Sequence, residues 1–159
     1  MPDIGGNSAI VEIDESKFGK RKYIRGHQMD GVWVLGLVER TEERRIILVA
    51  VDRGTQSTLF EKITANVNFN SHLFTDGWKA YRGLDDIYNS HSTVVHEKHF
   101  KDPITGVHTN TIEGNWSAIK LQVPFRNRTK TLVTLYLVRF MLLRNEKQHP
   151  LLAIIKYIF

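Results

Sequence analysis

The chain has 159 residues and no cysteine. That excludes disulfides, thiol catalysis and cysteine-based zinc fingers. Its start, Met-Pro-Asp-Ile-Gly-Gly, lacks the basic and apolar regions of a signal peptide. No apolar run approaches the ~20 residues a membrane-spanning helix needs. There is no internal repeat and no low-complexity tract. A soluble, intracellular protein with no membrane partner is the expectation.

What is present fits one globular domain. Hydrophobic residues make up 42% and charged residues 25%, and the length suffices to bury a real core. Lys and Arg number 22 against 17 acids, a net charge of +5, which mildly favours polyanionic partners.

Residues 1–9 are polar and Gly-rich and read as a loose lead-in. Residues 10–14 alternate Ile, Glu, Ile, Asp around Val11 and read as a strand. Residues 16–30 hold Lys17, Lys20, Arg21, Lys22, Arg25 and His27 among glycines and aromatics. This reads as a hairpin loop, either simply solvated or in contact with nucleic acid. Residues 31–38 form a second strand, and the continuous apolar run 46–51 a third, buried on both faces. Leu59, Ile63 and Val67 then recur four apart, so 55–67 is a helix capped by Ser57 or Thr58. A strand over 71–75 delivers Asp76 at its end, and a short helix follows from Gly77. A fifth strand spans 93–96 around Val94 and Val95. After an irregular loop, Ile112, Trp116, Ile119 and Val123 make the apolar stripe of a helix that Pro124 ends. Arg126, Arg128 and Lys130 lie in a basic linker. The last helix, 132–145, is apolar almost all round and should be buried. The apolar tail 151–159 is a docking segment or a partner surface.

Short connections make the first three strands antiparallel. The helical crossover makes the fourth parallel to a neighbour. The expected fold class is α/β, a mixed five-stranded sheet flanked by helices.

Three acids stand where such a fold could gather them. Asp14 ends the first strand, Asp76 ends the fourth, and Glu113 lies in the first turn of the 110–123 helix. Gathered carboxylates repel unless a cation neutralises them. Two Mg²⁺ or Mn²⁺ ions about 4 Å apart would do so and would clamp an in-line phosphoryl transfer. Oxygen-only ligands suit these hard cations and not zinc. Each acid also has a plainer reading. Asn110 followed three residues later by Glu113 is a capping-box pattern. Asp76-Gly77 is a common turn pair. Asp14 is flanked by Glu12 and Glu15 and could belong to a surface cluster, and Asp52 is another strand-end acid. His91, His96, His99 and His108 read as strand and loop hydrogen-bonders, with one or two near a substrate phosphate, or as a zinc site.

Four blocks sharpen the choice. They are Val-Glu-Ile-Asp-Glu-Ser-Lys-Phe-Gly from Val11, Gly-Leu-Val-Glu-Arg from Gly36, Thr-Asp-Gly-Trp-Lys-Ala-Tyr from Thr75, and His-Thr-Asn-Thr-Ile-Glu-Gly-Asn-Trp from His108. In this order they resemble the ISXO-type, Merlin-like DDE transposase domain over roughly residues 6 to 145. The resemblance implies a ribonuclease-H-like catalytic domain over 10–145, with 1–9 as lead-in and 146–159 as tail. It implies that Asp14, Asp76 and Glu113 hold two Mg²⁺ or Mn²⁺ ions for DNA strand cleavage and strand transfer. Asn110, Asn115 and His108 are possible helpers. Lys17, Lys20, Arg21, Lys22, Arg25, Arg126, Arg128 and Lys130 would hold phosphates without reading bases. The partners implied are double-stranded DNA (transposon ends and target) and further copies of the chain on DNA. The compartment would be the nucleus in a eukaryotic host and otherwise the cytoplasm with the nucleoid.

The sequence departs from the resemblance at three points. Relatives usually carry a DNA-binding region before the Ile-Gly-Gly start, whereas here there is none. The loop usually reading His-Ser has His96-Glu97. The last helix, usually bearing an acid and a Trp, has Arg139 and Leu142-Leu143. These departures favour one alternative, a relic or domesticated DNA-binding domain that cuts nothing; a stand-alone structure-selective nuclease is another, because the fold alone does not fix the activity.

Overall fold

A computed structural model describes residues 3–19, 23–24, 27–28, 31–52, 55–94 and 106–146. Its centre strand is longer than the alternation of apolar residues suggested. β1 runs Ile10–Phe18, because β4 (Val32–Glu39) pairs with it antiparallel from Val11↔Glu39 to Phe18↔Val32. Ser16, Lys17 and Phe18 are therefore strand and not loop. Between them, the two-residue strands β2 (Tyr23–Ile24) and β3 (His27–Gln28) pair as a small ribbon. β5 (Ile46–Val51) pairs antiparallel with β4. After helix α1 (Gln56–Asn66), β6 (His72–Asp76) returns parallel to β1, and β7 (Ser90–Val94) runs parallel to β6. The order is β5-β4-β1-β6-β7, the mixed five-stranded sheet expected from connection lengths.

Several boundaries differ from the sequence reading. Thr55 caps α1, its hydroxyl accepting from the Thr58 N–H. The short helix after Asp76 is two 3₁₀ turns, Lys79–Tyr81 and Leu84–Asp86. β7 begins three residues earlier than expected, because its polar residues Ser90 to Thr93 pair with β6 through the backbone ladder, which needs no apolar side chains. The lead-in is packed where it is described. Ile4 is buried and bridges Val67, and the Gly5 and Gly6 N–H groups donate to Glu39 Oε2 (2.8 Å) and Ser71 Oγ (2.9 Å). The apolar tail 151–159 lies outside the described residues.

β5 is an edge strand, yet most of it is buried. Helix α3 (Lys130–Asn145) lies along it. The Asn145 amide acts as a substitute strand, accepting from the Ile46 N–H (2.8 Å) and donating to the Ile46 carbonyl (2.7 Å). This closes an edge that would otherwise invite pairing. α3 is not buried all round. Val133, Leu137 and Met141, four apart, face inward, while Leu135 and Leu143 are largely exposed.

Opposite residues in the ladders share a face of the sheet. Glu12, Asp14, Ser16 and Phe18 look the same way as Val38, Gly36, Val34 and Val32. Helix α2 (Asn110–Gln122) lies across this face, with Ile112, Trp116 and Ile119 buried and Phe18 edge-to-face with Trp116 at 6.2 Å. Gly36 makes the approach possible. A Cβ there would lie 2.6 Å from Trp116 Cζ2 and 2.7 Å from Ile112 Cδ1. Gly36→Ala should therefore destabilise the fold by about 1–3 kcal/mol, the usual cost of overpacking. Urea unfolding reads this directly, and an unchanged midpoint would contradict the packing described.

Candidate active site

Asp14 lies in the middle of β1 relative to β4, and not at a strand end as the sequence suggested. Relative to β6 it stands just past the last paired residue, since the parallel ladder ends at Ile13↔Thr75. Asp76, the last residue of β6, continues that register beside it, on the same face. Both acids line one cleft of about 350 Å³ together with Glu15, Trp33, Leu59 and Trp78. Glu113 projects from the first turn of α2 on that side of the sheet.

Each acid has its own anchor. Asp14 Oδ2 accepts from Trp116 Nε1 (3.0 Å), so the indole both packs the helix and orients the carboxylate. Asp76 Oδ1 accepts from the Trp78 N–H (2.9 Å) and closes a tight turn. Glu113 Oε1 accepts from Thr109 Oγ1 (2.8 Å). Thr109 is the N-cap of α2, which puts Glu113 fourth in the helix and overturns the capping-box reading. Among the described residues no three His, Asp or Glu side chains stand close enough together to hold a metal ion. The acids share a corner but are not drawn into one ligand set.

Electrostatics shows how costly that corner is. Burial pushes the Asp14 carboxyl up to about 6. Its bond to Trp116 opposes this, and the charges of Asp76 and Glu113 add to it. Glu15 is pushed further, to about 8, first by burial and then by Asp14 and Asp76, with only its interaction with Tyr81 pulling down. Glu15 Oε1 and the Tyr81 hydroxyl are buried, and neither makes a hydrogen bond of ordinary geometry. Glu15 is thus no surface acid. Lys120 supplies some compensation. Burial and Arg128 lower its ammonium pKa, while Asp14 holds it up.

Glu12 is not a surface acid either. It is fully buried and accepts from Arg40 Nε (2.6 Å) and from the Ile112 N–H in the first turn of α2 (2.8 Å). Arg40 also donates through Nη2 to His108 Nδ1 (2.9 Å). A guanidinium has no acceptor, so His108 presents a lone pair there, which is the neutral ring. His108 therefore belongs to this network and does not line the cleft. Asn115 is buried and donates to the Thr111 carbonyl (2.8 Å) within its own helix, and Asn110 is exposed. The helical stripe that reveals α2 carries no signal of Glu12, which lies a hundred residues from Ile112 in sequence.

The cations are dispersed. Lys17 lies in β1 with Nζ 5.7 Å from the Trp33 ring. Arg128 caps the C-terminal end of α2, donating to the Val123 and Lys120 carbonyls (both 3.1 Å), and stacks on Phe125 at 3.9 Å. Lys130 pairs with Asp52 (2.8 Å), which accounts for that strand-end acid. Arg126 is exposed. Lys20, Arg21, Lys22, Arg25, His96 and His99 lie outside the described residues. His91 Nε2 bonds Thr75 Oγ1 (2.8 Å).

A family model described as the ISXO2-like transposase domain matches residues 5–137. The chain belongs to that family. No curated protein and no solved structure matches it. The match spans all five strands of the sheet, α1 and α2, and ends within α3, so every residue of this transposase-domain corner lies inside it. Membership ties the chain to DNA transposition and to DNA-processing enzymes in general. No helix among the described residues is long and apolar enough to cross a membrane.

The raised carboxyl values carry a pH prediction for the metal-free domain. An acid that binds its proton more tightly when folded loses stability as pH rises from its unfolded to its folded value. For Asp14 that window runs from 3.8 to about 6, and for Glu15 from 4.5 to about 8. The melting temperature of Glu15→Gln minus that of the wild type should grow between pH 5 and pH 8. A constant difference across that range would contradict the burial of Glu15.

Proposed function

We propose that this transposase domain is a metal-dependent DNA phosphoryl transferase with a ribonuclease-H-like core. Asp14, Asp76 and Glu113 would hold two Mg²⁺ or Mn²⁺ ions. The observation that carries this reading is the cost of the corner. Asp14 is half-buried beside two further carboxylates that raise its pKa, with Lys120 as a partial counter-charge. A divalent cation is the partner that such an all-oxygen set favours. Bound there, the ions supply Lewis-acid stabilisation of the phosphate undergoing in-line displacement.

The chain's own residues do the positioning. Trp116 orients Asp14, Thr109 orients Glu113, and the turn at Trp78 orients Asp76. In the first step water attacks a phosphodiester at the transposon end. Its P–O3′ bond breaks, and the leaving 3′-oxygen takes up a proton. In the second, that 3′-hydroxyl attacks a target phosphodiester, losing its proton and displacing the target 3′-oxygen. Arg126 and Lys130, on the exposed surface, would contact phosphate backbones, joined by the cations of the 17–25 segment.

One observation favours a second reading, a non-catalytic DNA-binding domain: the absence of a metal-holding trio among the described residues. Nicking of a transposon-end duplex under Mg²⁺ or Mn²⁺ separates the two. Asp76→Asn should lower nicking about a hundredfold or more, the scale of losing one preorganised charge-stabilising group. DNA binding should be retained. Its metal-free melting temperature should equal or slightly exceed that of the wild type, because one repulsive charge beside Asp14 is gone. Metal-dependent nicking that survives in Asp76→Asn would overturn the assignment. No nicking by the wild type under either metal, with DNA binding intact, would establish the second reading.

A further inference from the structure

Trp78 is 43% exposed, an unusual place for an indole two residues from a buried acid corner. It is also held. Tyr81 packs against it nearly perpendicular, with ring centroids 5.7 Å apart, and the backbone N–H of Trp78 donates to Asp76 Oδ1 (2.9 Å). The ring divides two hollows. One is the acid cleft. The other, about 420 Å³, is lined by Trp78, Arg82, Asp85, His91 and Thr93.

The lining of this second hollow selects its occupant. Apart from Trp78 it is polar, which does not suit an apolar peptide. Its one cation, Arg82, is offset by Asp85, which does not suit a phosphate. It offers a π-face, a guanidinium donor, a carboxylate acceptor and a hydroxyl. His91 adds a further acceptor. The Thr75 hydroxyl spends its proton on the Asp76 carbonyl (2.8 Å), so it must accept from His91 Nε2–H. Burial lowers the His91 pKa against the opposing charge of Asp85, which favours the neutral ring with a lone pair on Nδ1. Such a set matches a flat heterocycle with donors and acceptors on its edge. We propose that this pocket takes an unpaired nucleobase of the bound DNA, stacked on Trp78, next to the phosphate held at Asp14 and Asp76. The proposal rests on the phosphoryl-transfer reading for the location of that phosphate. Stacking on an aromatic face is open to every base. It is open only to a base out of the duplex stack, and leaving the stack costs least where the base is already unpaired.

The test compares two DNA probes binding to the full chain in Ca²⁺, a cation that oxygen-only sites accept: a fully paired duplex, and the same duplex carrying one unpaired nucleotide. The wild type should bind the second about tenfold more tightly, within the range measured for single base–aromatic stacks. Trp78→Ala, which keeps the backbone N–H that holds Asp76, should abolish that preference, and Trp78→Phe should keep most of it. Because the ring is half-exposed, Trp78→Ala should fold, which thermal melting verifies. Absence of the preference in the wild type, or its survival in Trp78→Ala, overturns this proposal alone. Failure to bind either probe overturns it together with the proposed function.

Discussion

Glu12 sits in the centre strand without exposure to solvent, and its two oxygens join three parts of the chain. One takes Arg40, just past the end of β4, and the other takes the Ile112 N–H at the start of α2. A buried carboxylate is tolerable only with such partners. Removing one from a pair of this kind typically costs about 3–5 kcal/mol. The positive end of the helix dipole adds to the compensation. With the first turn of α2 held on β1, Ile112 and Trp116 drop onto Gly36, where no side chain obstructs them. Trp116 then reaches Asp14, and Glu113 arrives on the same side as Asp14 and Asp76. The acid corner is a consequence of how one uninvolved acid is satisfied.

The corner itself works in the opposite sense. Glu12 is matched by a cation and a helix end, whereas Asp14 and Glu15 are half-buried among like charges and shift upward. The fold bears that cost locally and stabilises it elsewhere, through the apolar faces of β4, β5 and α2 and the closure of the β5 edge by Asn145. Local instability of this kind is common where charges serve chemistry.

Much of this was legible in the sequence. The mixed sheet followed from connection lengths, three antiparallel strands first and then a parallel one after the helical crossover; which strand lies beside which did not. The stripe Ile112, Trp116, Ile119 identified α2 and its inward face. What was not legible has physical causes. β7 is polar and pairs through its backbone, so hydropathy misplaces it. α3 looks buried because its sequence is apolar, but only the Val133, Leu137, Met141 face finds a partner. Asp14 looked terminal because apolar alternation stops there, yet the backbone ladder with β4 runs on to Phe18. Glu12 and Glu15 looked like surface acids because burial of a charge depends on partners distant in sequence, Arg40 and Ile112 for one and Tyr81 for the other. The bonds of Arg128 to the end of α2 were not legible, because a helix-capping arginine and a DNA-binding one have the same local composition.

The central claim is that these acids bind a pair of divalent cations. A Mn²⁺ titration followed by electron paramagnetic resonance tests it without relying on activity or on knowledge of the DNA sequence. The account predicts two Mn²⁺ ions per chain, magnetically coupled because they are about 4 Å apart, with the coupled signal lost in Asp14→Asn. No bound Mn²⁺, a single uncoupled ion, or a signal unchanged by Asp14→Asn would contradict it.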